Sequence, residues 1–352
     1  MKQNIFAGLV ACTFLMAGVT TPIFASTPDS PVVSITTAQK QASEYLDLQK
    51  QHADTDDWDS AVIQEGKVLY DFDGNVSAYL FPLTVNDRPS GYMIVSAYSQ
   101  TSGVIESTRT GTTPYVGING KDAIYVGPLM HYKKVGDAHF EDLHLKKKIQ
   151  KNTLKSKGPL AKENVNRLSA SQITPEAITE YKSKTLTGIP DYQWYKGCAP
   201  TSGANIVKYW DNNGYPNLVQ DTTQPNTIIE YLAMYMNTNS EGGTTVYNMI
   251  SGMKQYWNLR GYYPTITDHY SNFGSHVTEM TNSRPDWVTT VSHPTYKDHA
   301  MTGVGYESYY STDDFKYHYN VVVHDTWDTT PVNVWLAWNT LWFDHVISVK
   351  QP

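Results

Sequence analysis

The amino-acid sequence predicts an α+β protein in which helices and antiparallel hairpins follow one another along the chain. Three observations predict it. Apolar residues recur at helical spacing in Ala38, Ala42, Tyr45, Leu46 and Leu48. Strand-like runs at residues 68–70, 76–83 and 92–96 are separated by clusters of turn residues. Beyond a lysine-rich middle, a helical run at 199–210 precedes strand-like stretches at 298–306 and 321–323.

Residues 1–26 read as an export leader. Lys2 supplies a short positive start, the stretch 5–25 is mostly apolar, and the small residues Ala25 and Ser26 offer a signal-peptidase cut. Thr20, Thr21 and Pro22 interrupt a run that barely reaches the roughly 20 apolar residues a membrane span needs, so a cleaved signal is expected in place of an anchor. Leu9-Val10-Ala11-Cys12 resembles a lipoprotein cleavage box, but the apolar sequence runs well past Cys12. The mature protein is therefore expected to be secreted, either free or associated with the cell surface, with Cys198 as its one cysteine and no disulfide framework. Roughly 325 residues would remain, more than a single core usually accommodates, and two domains are expected. The formal charge of -7 leaves no electrostatic footprint for nucleic acid. No Gly-rich loop marks a phosphate site, and no cofactor is expected.

Residues 27–120 read as a small α+β module. Thr36 or Thr37 can cap its helix. Its hairpins turn at Asp71-Phe72-Asp73-Gly74-Asn75 and Asn86-Asp87-Arg88-Pro89-Ser90-Gly91. The first turn resembles the start of a calcium loop, but Pro82 stands where a bidentate Glu would be needed and the glycine comes two places early. Residues 121–184 read as a basic linker. Lys146, Lys147, Lys148, Lys151, Lys155, Lys157, Lys162 and Arg167 crowd a polar stretch holding Gly158 and Pro159, the kind of segment where proteolytic nicking concentrates.

Residues 185–352 carry the chemistry. In the helix at 199–210, Pro200 suits the first turn and Asn212-Asn213-Gly214 supplies the stop. Cys198 thus opens a helix, where the macrodipole and free N–H groups favour a thiolate and lower the thiol pKa. The inert alternative is a buried cysteine acting as a small hydrophobe. A nucleophilic thiol needs a base, and His299 begins a strand-like stretch whose glycines permit close approach. After a hairpin at Ser311-Thr312-Asp313-Asp314, the run Val321-Val322-Val323 leads to Asp325, which would lie beside the His299 strand and could fix the tautomer of His299. Gln193 could donate its amide to a developing oxyanion alongside the Cys198 N–H.

These residues resemble the papain-like cysteine peptidases. The run 298–306 is similar to their histidine motif, and Asp325-Thr326-Trp327 is similar to their Asn-Ser-Trp with Asp in place of Asn. Gly197-Cys198-Ala199-Pro200-Thr201 departs from papain itself and is closer to the bacteriocin-processing peptidases, family thirty-nine of the cysteine series. The order Gln193, Cys198, His299, Asp325 matches that family across residues 185–352. The resemblance implies a papain-like catalytic domain with Cys on a helix and His and Asp on an antiparallel sheet, acting on a peptide or protein substrate. The N-terminal half is similar to streptopain-type prodomains through Ala78-Tyr79-Leu80-Phe81-Pro82 and 91–97, implying a zymogen whose residues 27–120 block the cleft as an intramolecular partner. A permanent accessory module is the alternative.

Other candidates are weaker. His293, before Pro294, is an alternative base, and Asp328 competes with Asp325. His269, His276 and Asp268 fit no closed zinc site, and no metal is expected. Trp327 would shield the His299–Asp325 hydrogen bond from water, as the matched tryptophan does in papain. Trp335, Trp338, Trp342 and Phe343 read as core or cleft wall. A peptidoglycan amidase or transglutaminase-like acyl transferase would use the same triad, and a catalytically silent binding protein is the rival from outside enzymology.

Overall fold

The computed structural model describes residues 32–52, 57–98, 103–151, 178–220, 222–290, 298–311, 315–338 and 343–352. The leader, His293, Trp342 and the lysines of 155–167 lie outside the described residues. Five helices and a large sheet make up the described residues, a mixed α/β architecture compatible with an α+β fold. None of the helices there is long and apolar enough to cross a membrane.

The N-terminal half begins with α1 (Ile35–His52), capped by Ser34, whose Oγ accepts from the Thr37 N–H at 3.1 Å. The cap precedes the two threonines expected for it, because Ile35 already belongs to the first turn. Next come β1 (Val62–Ile63), β2 (Lys67–Tyr70), β3 (Val76–Val85), β4 (Arg88–Ser96) and β5 (Val104–Thr108). Asp71 folds the β2–β3 turn on itself, accepting from the Asp73 and Asn75 amides. Only Asn86 and Asp87 turn β3 into β4, with φ of 50° and 60°. Both residues tolerate that left-handed backbone, so the turn is tighter than the sequence suggested and Arg88–Ser90 join the strand.

The basic linker expected at 121–184 is structured along much of its length. It holds β6 (Ala123–Tyr125), β7 (His131–Gly136), β8 (His139–Asp142), β9 (Lys148–Gln150) and, beyond the undescribed 152–177, β10 (Ile178–Thr185). Tyr125, Leu129, Met130, Phe140 and Leu143 are buried there. Most of them fall in the apolar run 123–130, but the lysines that crowd 146–162 dominate a composition-based reading of the whole segment.

The C-terminal half contains α2 (Cys198–Asn212), α3 (Pro225–Tyr235), α4 (Val246–Asn258), β11 (Thr265–Asp268), α5 (Phe273–Thr281), β12 (Asp286–Thr290), β13 (His299–Ser311), β14 (Lys316–His324), β15 (Val334–Ala337) and β16 (His345–Lys350). The strands run in the order β11-β16-β12-β13-β14-β15-β5-β4-β3-β2-β6-β7-β8-β9, with β1 on β3 and β10 on β13. Every pairing is antiparallel except β2 with β6.

Trp335↔Ser107 and Leu336↔Glu106 join the two halves into one sheet. A shared apolar cluster does the same in the core, packing Phe72, Ile124, Leu129, Met130 and Phe140 against Val288, Met301, Val321, Val323 and Leu336. A buried polar knot adds a third link. Glu307 on β13 accepts from Tyr45 and Gln49 of α1, from Arg109 after β5, and from Tyr181 and Asn320. Helix α2 sits over the other main core, where Trp257, Trp287, Ala204, Val207 and Met253 are buried together.

Candidate active site

Cys198 is placed by bracing between α2 and the sheet. Asn205 accepts from the Tyr192 N–H and donates to Thr302 Oγ1, which in turn donates to the Ser202 carbonyl. Trp287 Nε1 donates to Ser202 Oγ at 2.8 Å, and that hydroxyl donates to the Cys198 carbonyl. Trp287 on β12 and Thr302 on β13 face each other, so the first two turns of α2 are fastened to the strand that carries His299 and to its neighbour. Gly197 before the cysteine is required: a Cβ there would lie 2.5 Å from the Gly242 carbonyl oxygen.

The thiol is half-buried. Burial pushes its pKa up, against the main-chain N–H groups of Ala300, Ala199 and Cys198 itself, which favour the thiolate; the Asp298 charge adds to the upward shift. The helix N-terminus was expected to lower the thiol pKa, and desolvation outweighs it here. The Ala300 amide nonetheless reaches the sulfur from the residue after His299.

His299 is 6% exposed, and burial lowers its pKa to about 4. Its Nε2 lies 2.9 Å from the main-chain carbonyl of Asp325. A carbonyl oxygen only accepts, so Nε2 carries the proton and Nδ1 is the basic nitrogen of the neutral ring. The sequence reading assigned the tautomer-fixing contact to the Asp325 carboxylate. That carboxylate instead accepts from the Trp327 N–H at 2.9 Å and Thr330 Oγ1 at 2.6 Å, which stiffens the loop. Burial raises the Asp325 pKa to about 7, against those two hydrogen bonds, and the Glu106 charge adds to the rise. Trp327 stacks on His299 with ring centroids 4.2 Å apart and 12° between planes. Thr326 between them holds φ 72°, a conformation that costs a β-branched residue about 1–3 kcal/mol and marks a loop held by its surroundings.

Gln193 is exposed in the segment leading to Cys198. The Trp194 N–H next to it donates to the Thr326 carbonyl at 2.7 Å, so the segment lies against the Asp325–Trp327 loop. Asp328 is exposed, unlike the buried Asp325. The histidines weighed for zinc are engaged otherwise: His276 with Asp286 and the Gly305 carbonyl, His269 with Ser348, while Asp268 binds His345.

Two residues of this neighbourhood escaped the sequence reading. Asp191, two positions before Gln193, is raised to about 8 by burial and by the Asp325 charge. Its place near the cysteine was the only available signal. His144, from the N-terminal half, stacks on Trp327 at 4.2 Å and 13°.

A search of curated proteins found no match to the chain. The model of the Peptidase_C39 like family matches residues 179–342, the stretch that begins in β10 and holds Cys198, His299 and Asp325. Over those residues the chain is similar to the Peptidase_C39 like family, which suggests a cysteine peptidase.

Proposed function

We propose that the protein is a secreted cysteine peptidase in which Cys198 attacks a peptide carbonyl. His299 takes the thiol proton on Nδ1 and returns it to the leaving amine, and water activated by His299 then releases the acyl-enzyme. Asp325 orients His299 through its carbonyl, with a rigid loop behind it. Gln193 and the Cys198 N–H face the oxyanion. The observation that carries this reading is the fastening of α2 to β12 and β13, which holds Cys198 against the Ala300 amide beside a histidine of fixed tautomer.

Export rests on the leader. The proposal departs from a removable prodomain on the strength of the β5–β15 pairing, the shared apolar cluster and the Glu307 knot, all of which removal of residues 27–120 would break. The N-terminal half is read instead as a permanent part of the catalytic body.

The test is peptide hydrolysis by the full secreted chain, with Cys198→Ala and His299→Ala as controls and intact-mass detection of an epoxide or fluoromethylketone adduct. Hydrolysis by wild type and loss in both folded variants is expected. Undiminished hydrolysis by folded Cys198→Ala would overturn the mechanism. Activity appearing only after cleavage within 146–167 would restore the zymogen.

A further inference from the structure

We propose that His144, a side chain of the N-terminal half, is a positioning residue for His299 and acts through the indole of Trp327; the proposal rests on the peptidase reading above. Trp327 lies 4.2 Å from both imidazoles and nearly parallel to each. Two imidazoles at that separation do not fit side by side on one face of an indole, so the three rings form a stack with Trp327 in the middle. The face of Trp327 turned from His299 is thus closed by a residue on the far side of the β5–β15 junction.

His144 is well anchored for such a role. It is buried, and its Nδ1 hydrogen-bonds Thr329 Oγ1, two residues beyond Trp327 in the same loop. Its own N–H donates to Asp142 Oδ1 at 2.9 Å, which also accepts from Leu145 N–H. Behind it His131 meets its ring edge-on at 5.1 Å, and His131 is held between Glu106 Oε1 at 2.9 Å and Tyr115 Oη at 3.1 Å. Glu106 accepts in addition from Tyr92, Tyr125 and the Leu129 amide. A saturated polar network of the N-terminal half thereby backs the ring that covers His299. With the Asp325 carbonyl on its edge and the clamped indole on its face, the imidazole keeps Nδ1 aimed in one direction and stays desolvated.

The charged and titratable groups acting on His144 are His131, His299 and Lys146, and those acting on the Asp325 carboxyl beside the stack are Glu106, His131 and Asp191. Burial lowers the His144 pKa well below its ordinary value, with His131 and His299 adding to the effect, so the stacked ring is neutral at neutral pH.

The experiment compares full-length wild type, His144→Ala and His144→Phe, reading kcat and KM against pH and the His299 ring-proton titration by NMR. Phe keeps a ring on the indole and should stay within about twofold of wild type, whereas Ala should lower kcat about tenfold with KM nearly unchanged. The His299 midpoint should rise from near 4 toward the ordinary range in the Ala variant alone. His144→Leu, which fills the space without a ring, serves if the Ala chain does not fold. Wild-type kcat and His299 midpoint in a folded Ala or Leu variant would overturn the proposal, as would a Phe variant as impaired as Ala. A His299 shift in a chain whose wild type hydrolyses no peptide would remove the peptidase reading and leave the positioning role standing.

Discussion

Arg109→Met should destabilise the whole chain, N-terminal and C-terminal halves together. Arg109 is 5% exposed and its Nη2 lies 3.3 Å from Glu307 Oε2, while Glu307 itself is fully buried. Arg109 Nη2 also donates to Gln49 Oε1, and the guanidinium lies 4.3 Å over Trp335 and 5.7 Å from Trp58. Methionine keeps much of the apolar stem and removes the charge. Glu307 then retains only the neutral donors Tyr45, Gln49, Tyr181 and Asn320. Removing one partner of a buried pair costs about 3–5 kcal/mol, and the lost cation–π contact adds about 1 kcal/mol. A loss of about 4–6 kcal/mol corresponds, at about 2 °C per kcal/mol for a long chain, to a Tm lower by roughly 8–12 °C. Urea and thermal melts followed by far-UV circular dichroism and tryptophan fluorescence measure it. Adding Glu307→Gln should recover most of the loss, because the stranded charge is then gone. A single variant within about 1 kcal/mol of wild type, or two separate transitions in the wild-type melt, would refute the argument that this knot locks the halves together.

Three further outcomes follow from the same geometry. With the thiol pushed up and His299 near 4, both groups are neutral at pH 7, so iodoacetamide alkylation of Cys198 should keep accelerating as pH rises through 9; a rate plateau between pH 4 and 8 would reveal a preformed thiolate–imidazolium pair instead. Asp191 has a folded pKa of about 8 against an ordinary 3.8, so the stability from its protonated form is full below 3.8 and lost as pH rises to 8. Asp191→Asn should therefore melt with wild type at pH 4 and above it at pH 8.5, and parallel curves across that range would contradict the assignment. His276→Leu strands the buried Asp286 carboxylate, and a loss of about 3–5 kcal/mol in urea melts is expected; a loss under about 1 kcal/mol would show that water reaches Asp286.

The elements that carry the candidate site were legible because their signals are local. Pro200 in a first turn and Asn212-Asn213-Gly214 at a stop specify a helix from neighbouring residues alone, and α2 spans Cys198–Asn212. The β-runs at 68–70, 76–83 and 92–96 fall within β2, β3 and β4, since alternation and turn chemistry act over a few residues. His299 was expected at a strand start, and β13 begins there.

Tertiary structure decided what depends on distant partners. The linker reading failed at β6 to β9 because Tyr125 and Phe140 are buried by surfaces elsewhere in the chain, which no local count of lysines reveals. The Cys198 thiol rises where the helix terminus alone would lower it, since desolvation is set by everything packed over the sulfur. The Asp325 side chain was visible in the sequence, but whether its carboxylate or its carbonyl meets His299 is a matter of loop conformation, fixed by Thr330 and the Trp327 amide. His144 carried no mark at all: its hydrogen-bond partner Thr329 lies 185 residues away, and only the joining of β5 to β15 brings the two into contact.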